Sequence, residues 1–348
     1  MVQIIKKIII MVILVLGLLG ILSAQRLEIL GAGATFPYPL YSKMFDEYSN
    51  VADRVNYQVI GSGGGINQLV EMTVDFGGTD AIVSAEIESG TGNTILHVPT
   101  CLGAVVITYN LQIPNNAKLK FTSDVIADIF LGTITSWNDS RIRELNPGVN
   151  IPNRPITVVY RSEASGTTNI FTEYLEKTNQ TWATSIGSGT TVRWPVGIGA
   201  RGNPGVAASV QQTPGAIGYV ELIYALSNDM PFGDVRNKAG NYITPTIESV
   251  TIAANVDIPA DTKVSLTDTD AAQGYPLSSF TWVILFKEQS YNNRPIERGR
   301  ATHDLVNWMI TDGQSFASAL NYAPLPEAAK QRGLDLLKSM TFNGQPLR

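Results

Sequence analysis

Downstream of residue 24 the chain alternates two hydrophobic rhythms. In Leu40, Tyr41, Met44, Phe45 and Tyr48 the apolar positions recur at i, i+1, i+4, i+5 and i+8, which predicts one buried face of a helix. Val55, Tyr57 and Val59 alternate with polar Asn56 and Gln58, the period of a strand. Ile66, Leu69 and Val70 return to helical spacing. The same order recurs in mid-chain: Ile156, Val158 and Tyr160 alternate along a predicted strand that delivers Arg161 at its end. A small-residue loop follows, and Ile170, Phe171, Tyr174 and Leu175 form the next helical face. Ala104 to Tyr109 and Thr281 to Phe286 are rich in β-branched and aromatic residues. We read these two segments, far apart in the chain, as strands crossing between lobes. Strand and helix in alternation define an α/β layer architecture. No fixed-period repeat points to a solenoid.

The first 24 residues follow neither rhythm. Lys6 and Lys7 precede an apolar run of 15 residues, Ile8 to Leu22, and the small pair Ser23-Ala24 closes it. That is the layout of an export signal. The run is shorter than the roughly 20 residues that span a bilayer as a helix. A cleaved signal peptide over residues 1–24 is therefore expected. Leu22 occupies a position where cleavage prefers a small residue, which keeps an uncleaved N-terminal anchor as the alternative. The mature protein is then secreted, periplasmic or at the cell surface. Cys101 is the only cysteine, so no intramolecular disulfide is available in that oxidising space and the core must supply the stability.

A chain of 348 residues favours two lobes. Its 44% hydrophobic and 16% charged residues are those of an ordinary globular protein. Loss of Lys6 and Lys7 with the signal takes the formal charge from −5 to −7. An acidic protein lacks the basic patches that nucleic acids and anionic membranes require. Any anion it binds must be held by local geometry.

Four segments supply that geometry: Gly31-Ala32-Gly33-Ala34-Thr35-Phe36-Pro37, Gly61-Ser62-Gly63-Gly64-Gly65, Asp75-Phe76-Gly77-Gly78-Thr79-Asp80 and Arg161-Ser162-Glu163-Ala164-Ser165-Gly166-Thr167. The first, second and fourth each end a strand-like run and open a helix. Helix N-termini present unpaired N–H groups and partial positive charge, so such junctions suit anions. Pro37 is expected in the first helical turn, where its missing donor costs nothing. Three junctions could surround one tetrahedral oxyanion at the carboxyl ends of the strands, with Arg161 supplying a planar fork for two of its oxygens. Asp80 discriminates. An ionised carboxylate only accepts hydrogen bonds, so it tolerates an anion that carries a proton and repels one that does not. Phosphate near neutral pH carries one; sulfate does not. Taken singly, each feature has an ordinary reading: structural punctuation for the loops, a surface salt bridge to Glu163 for Arg161, a loop cap for Asp80.

In combination these segments resemble the phosphate-contacting segments of the periplasmic phosphate-binding proteins of the phosphate ABC transporter, in that family's order and approximate spacing. Leu131-Gly132-Thr133-Ile134 with Trp137, the stretch Val192 to Gly199 and Pro214 to Glu221 extend the resemblance over nearly the whole mature chain. It implies a two-lobed periplasmic binding protein fold of type II with two crossing hinge strands. Residues 25–106 and 282–348 would form lobe 1, and residues 107–281 lobe 2. It also implies that Thr35 and Phe36 donate from the first helix start, Phe36 through its backbone N–H. Ser62 would donate from the second, Asp80 accept the phosphate proton and Arg161 pair with the anion. Ser165, Gly166 and Thr167 would close the site from lobe 2. Gly64 and Gly78 stand where the family often has Ser or Ala. Glu163 replaces its usual Asp, which puts the support of Arg161 in doubt. The implied partners are inorganic phosphate and the permease subunits of an ABC importer; a monomer with no metal or organic cofactor is expected.

Competing readings fare worse. The Gly-rich loops lack the Gly-Lys-Ser/Thr ending of a nucleotide P-loop, Gly31-x-Gly33 lacks the third glycine of a dinucleotide fingerprint, and no Gly-x-Ser-x-Gly elbow occurs. His97 and His303 are the only histidines and have no paired spacing, against a metal site. A receptor for sulfate or molybdate and a secreted phosphate-ester hydrolase remain as alternatives, and an adhesive surface protein would leave the clustered donors without a purpose.

Overall fold

The computed structural model describes residues 26–114 and 117–348. The predicted export segment lies outside them, and no helix among the described residues is long and apolar enough to cross a membrane. The framework is one eight-stranded sheet. Its strands are β1 (Glu28–Gly33), β2 (Arg54–Val59), β3 (Phe76–Thr79), β4 (Ile95–Tyr109), β5 (Thr157–Arg161), β6 (Ile198–Ala200), β7 (Ala216–Glu221) and β8 (Ser278–Phe286). In space they run β2-β1-β3-β8-β4-β7-β5-β6.

β4 explains how one sheet serves two lobes. All its 15 residues are buried, mostly apolar or β-branched side chains with His97 among them, as in a strand covered on both faces. Its pairing changes partner midway. Residues up to Ala104 pair with β8, and Val105 to Tyr109 pair with β7. The chain returns at Leu277, whose carbonyl accepts from the Val105 N–H at 2.9 Å, and enters β8. Thr281 to Phe286 thus lies inside β8, paired with β4 and in part with β3, just beyond the return crossing.

The helices that matter for the site are α1 (Tyr38–Val51), α2 (Ser62–Val70), α3 (Gly166–Thr178), α4 (Gly202–Gln212) and α5 (Ile296–Ile310). α1 buries Leu40, Tyr41, Met44, Phe45 and Tyr48, the face read from spacing. β2 alternates exposed Arg54, Asn56 and Gln58 with half-buried Val55, Tyr57 and Val59, as an edge strand does. One local expectation shifts: Pro37 caps α1 from outside, and Pro39 occupies the first turn. β1, β2 and β5 deliver their carboxyl ends to the starts of α1, α2 and α3, and β6 does the same for α4. Within each half the strands run parallel, β1 with β2 and β5 with β6, and the two halves run in opposite senses along β4, so their carboxyl-end junctions face each other where β4 changes partner.

His97 and His303 both have structural surroundings. His97 is buried in β4, where its Nε2 accepts from the Val83 N–H at 3.1 Å, and burial lowers its pKa to about 4. His303 sits beside Asp304, 3.0 Å away. No group of three or more metal-ligating side chains occurs among the described residues.

Candidate anion-binding site

The lobe 1 wall is set by its backbone. The Thr35 carbonyl accepts from Tyr224 Oη at 2.6 Å and the Phe36 carbonyl from Tyr322 Oη at 2.6 Å. These two bonds fix the peptide planes at the start of α1, and with them the direction of its first N–H groups. Ser62 opens α2 and is 1% exposed. Its hydroxyl lies 3.3 Å from Asp80 Oδ2 and accepts from the Asp80 N–H at 3.2 Å. Asp80 follows β3. Thr281 of β8 donates to its Oδ1 at 2.8 Å, which leaves Oδ2 toward Ser62. Burial raises the Asp80 carboxyl to about 7, opposed by the Thr281 hydrogen bond, the Arg161 charge and the Ser62 hydroxyl.

On lobe 2 the central group is Arg161 at the end of β5. Its side chain is 1% exposed and that of Glu163 19%, so their pairing is a largely buried salt bridge and not the surface one that local spacing suggests. Nε donates to Glu163 Oε1 at 3.0 Å, Nη2 also reaches that oxygen, and Nη1 donates to Thr167 Oγ1 at 3.0 Å. Glu163 therefore does brace Arg161, its extra methylene accommodated by a further bond from the Gly202 N–H at 3.0 Å. Ser165 caps α3, accepting from the Thr168 N–H at 3.2 Å. The first N–H groups of α3 then have no intrahelical acceptor.

The two walls touch. A Cβ added to Gly166 would stand 2.5 Å from Ser62 Oγ and 2.7 Å from Asp80 Oδ2, so glycine alone lets the start of α3 approach the lobe 1 carboxyl. The Gly63 N–H donates to the Ala164 carbonyl at 3.1 Å across the same boundary. Thr35, Phe36, Ser62, Asp80, Arg161, Ser165, Gly166 and Thr167 are all buried. Cross-lobe contacts thus gather the Ser62 and Asp80 side of lobe 1 against the Arg161 loop, and the first of the eight, Thr35, joins them through a residue that sequence reasoning missed. Asn203, at the start of α4, is fully buried and donates through Nδ2 to Thr35 Oγ1 at 2.9 Å and Thr167 Oγ1 at 3.3 Å. Its Oδ1 accepts from the Glu221 N–H at 2.9 Å. Gly202-Asn203-Pro204 is a fourth strand-to-helix junction of the kind already singled out, and its three-residue strand is too short to show a period.

Gly78 also finds its reason. A Cβ there would meet Tyr57 Oη at 2.2 Å, and Tyr57 Oη donates to the Ala34 carbonyl at 3.2 Å. The glycine makes room for a tyrosine that braces the first junction.

A two-lobed α/β protein whose inter-lobe seam collects helix starts, the Arg161 guanidinium and the buried Asp80 carboxyl is, as a class, a solute-binding protein for a small oxyanion. The PBP superfamily domain matches residues 22–312. The Phosphate-binding protein PstS of Pasteurella multocida is 39% identical over 315 residues, covering 89% of this chain and 90% of that protein. The PstS of Methanocaldococcus jannaschii is 35% identical over 325 residues, covering 87% and 84%. This chain belongs to the PstS family of phosphate-binding proteins within the PBP superfamily. The fold agrees: a high-affinity periplasmic phosphate-binding protein (PfluDING) bound with phosphate superposes with a TM-score of 0.70 at 24% identity, over 88% of this chain and 92% of that one.

Proposed function

We propose that the protein captures inorganic phosphate, as hydrogen phosphate or dihydrogen phosphate, outside the cell and hands it to a membrane ABC importer. Lobe 1 is taken as residues 25–106 with 282–348 and lobe 2 as 107–281. In this reading Thr35, the Phe36 N–H and Ser62 donate to the anion from lobe 1. Arg161 pairs with it from lobe 2, where Ser165, Gly166 and Thr167 add donors at the start of α3. Asp80 Oδ2 accepts the proton that phosphate carries and sulfate lacks. Binding is reversible and non-covalent, with no metal, organic cofactor or catalytic step. The protein acts as a monomer, recognised by the permease when its lobes are closed.

The observation that carries this reading is Gly166 lying over Ser62 and Asp80, because it sets helix-start donors against a proton-accepting carboxylate in one buried seam. Titration calorimetry on mature, phosphate-stripped protein tests it. One phosphate per chain should bind with sulfate inert at the same concentration. Equal heats for both anions would leave Asp80 without its role, and no heat for either would overturn the proposal. Incubation with phosphomonoesters should release no phosphate.

A further inference from the structure

Two tyrosines hold adjacent carbonyls at the start of α1 with bonds of equal length, but the amides they act on differ. A carbonyl shares its rigid amide plane with the N–H of the next residue. The Thr35 carbonyl, which accepts from Tyr224 Oη at 2.6 Å, therefore belongs to the amide that carries the Phe36 N–H. The Phe36 carbonyl, which accepts from Tyr322 Oη at 2.6 Å, belongs to an amide completed by Pro37, which has no N–H. A hydrogen bond accepted by a carbonyl polarises its amide and strengthens the donor at the other end. Only the Tyr224 bond has such a donor to strengthen.

The two bonds also differ in where they reach. Tyr322 is anchored beside the first half of β4, where its neighbour Ala323 exchanges backbone bonds with Leu102 at 3.0 and 3.1 Å. Tyr224 lies in the short helix Leu222–Leu226 that follows β7, and β7 and β1 stand on opposite sides of β4. Its bond to Thr35 crosses the seam. Burial, ahead of the nearby Glu221 carboxyl, pushes the Tyr224 phenol well above its ordinary value, so it stays neutral and keeps its O–H to donate. Phe36 is fully buried, and its N–H has no acceptor among the described residues. The Thr35 carbonyl also accepts from the Tyr38 N–H at 3.3 Å, so it stays satisfied without Tyr224.

We infer that Tyr224 is a positioning residue for phosphate: by donating across the seam to the Thr35 carbonyl, it turns the Phe36 N–H into a strong anion donor once the two walls have met. This rests on the proposed function, in which that N–H holds the anion. The donor strength of one wall then depends on the other, and the gain lies in slower dissociation.

Calorimetry with phosphate on the unaltered protein, Tyr224→Phe and Tyr322→Phe tests the inference. Tyr224→Phe should weaken binding roughly 2- to 10-fold, the range for one hydrogen bond. Tyr322→Phe removes a bond of the same length and should change the affinity less than about twofold. In the phosphate-saturated protein the Phe36 amide proton resonance should move upfield in Tyr224→Phe and stay in place in Tyr322→Phe. A bond that only held the lobes together would leave that resonance unmoved at saturation. 3-Fluorotyrosine in place of Tyr224 keeps the ring and makes the hydroxyl a stronger donor, which gives a readout that does not depend on the Phe variant folding. It should tighten phosphate binding and move the resonance downfield. Equal phosphate affinity in the two Phe variants, an unmoved Phe36 resonance, or fluorotyrosine without effect would each overturn the inference. Phosphate binding by the unaltered protein in the same titration separates these failures from a failure of the proposed function.

Discussion

Lobe 1 meets the seam with Thr35, Ser62 and Asp80, none of which carries positive charge, whereas lobe 2 brings a buried guanidinium and the start of α3. Arg161 is held by Glu163 and Thr167 on its own lobe, so it is oriented before the lobes meet. Asp80 is held by Thr281 of β8, the strand hydrogen-bonded beside β3, leaving one oxygen for what arrives. The division teaches that attraction and discrimination are separable. In the proposed reading, one wall would supply the charge that makes binding tight and the other the acceptor that inspects the ligand's proton.

Four substitutions test that division, in descending order of their effect on phosphate affinity. Arg161→Ala removes the buried guanidinium of the seam and leaves Glu163 without its charged partner. Truncating one member of a buried charged pair costs about 2–5 kcal/mol, so affinity should fall roughly 30- to 5,000-fold by calorimetry. An unchanged value removes Arg161 from the site. Gly166→Ala attacks the meeting of the walls, since its Cβ must displace Ser62 Oγ from 2.5 Å. Overpacking of this kind costs about 1–3 kcal/mol, a roughly 5- to 150-fold loss, and small-angle scattering should show the lobes apart under phosphate. Scattering identical to that of the unaltered protein would contradict the seam described above. Asn203→Ala cuts the bridge from Thr35 to Thr167. At about 1 kcal/mol for each of the two bridging hydrogen bonds, the longer one the weaker, a roughly 5- to 30-fold loss is expected, in the dissociation rate more than in association.

Asp80→Asn should change phosphate affinity least and sulfate affinity most, because the amide can donate to an unprotonated oxygen. It also carries a pH signature. The Asp80 carboxyl titrates at about 7 in the folded protein, against about 4 in an unfolded chain. Between those values the folded, phosphate-free protein keeps a proton that the unfolded chain has released. Stability from this residue therefore falls as pH rises through the window and levels off above it. Melting of the stripped variant relative to the unaltered protein should improve steadily from pH 4 to 7 and then stay constant. Parallel curves throughout would mean that Asp80 is not buried as described.

What sequence reading recovered was local. The apolar face of α1 and the alternation of β2 follow from spacing because both elements have one buried side. The eight residues proposed to hold the anion were singled out because glycine-rich turns between strand and helix leave a compositional trace. Asn203 left none, as β6 is three residues long and its role depends on reaching Thr35 across 168 positions. The grip of Glu163 on Arg161 was undervalued for a related reason: its second support comes from Gly202, which only the folded chain brings near. The ion pair of Asp75 with Arg298, 2.6 Å apart, was equally invisible, since charges 223 positions apart carry no periodic signal.

The order of strands in lobe 1 also bears on how the molecule is made. β8 lies between β3 and β4, yet it leaves the ribosome after the whole of lobe 2. Until residues 278–286 emerge, the nascent chain has a gap at the centre of its first sheet and cannot close it with any other segment. Were the chain exported unfolded it would gain from such a delay, because the last-made strand of this sheet is the one that locks the first-made half.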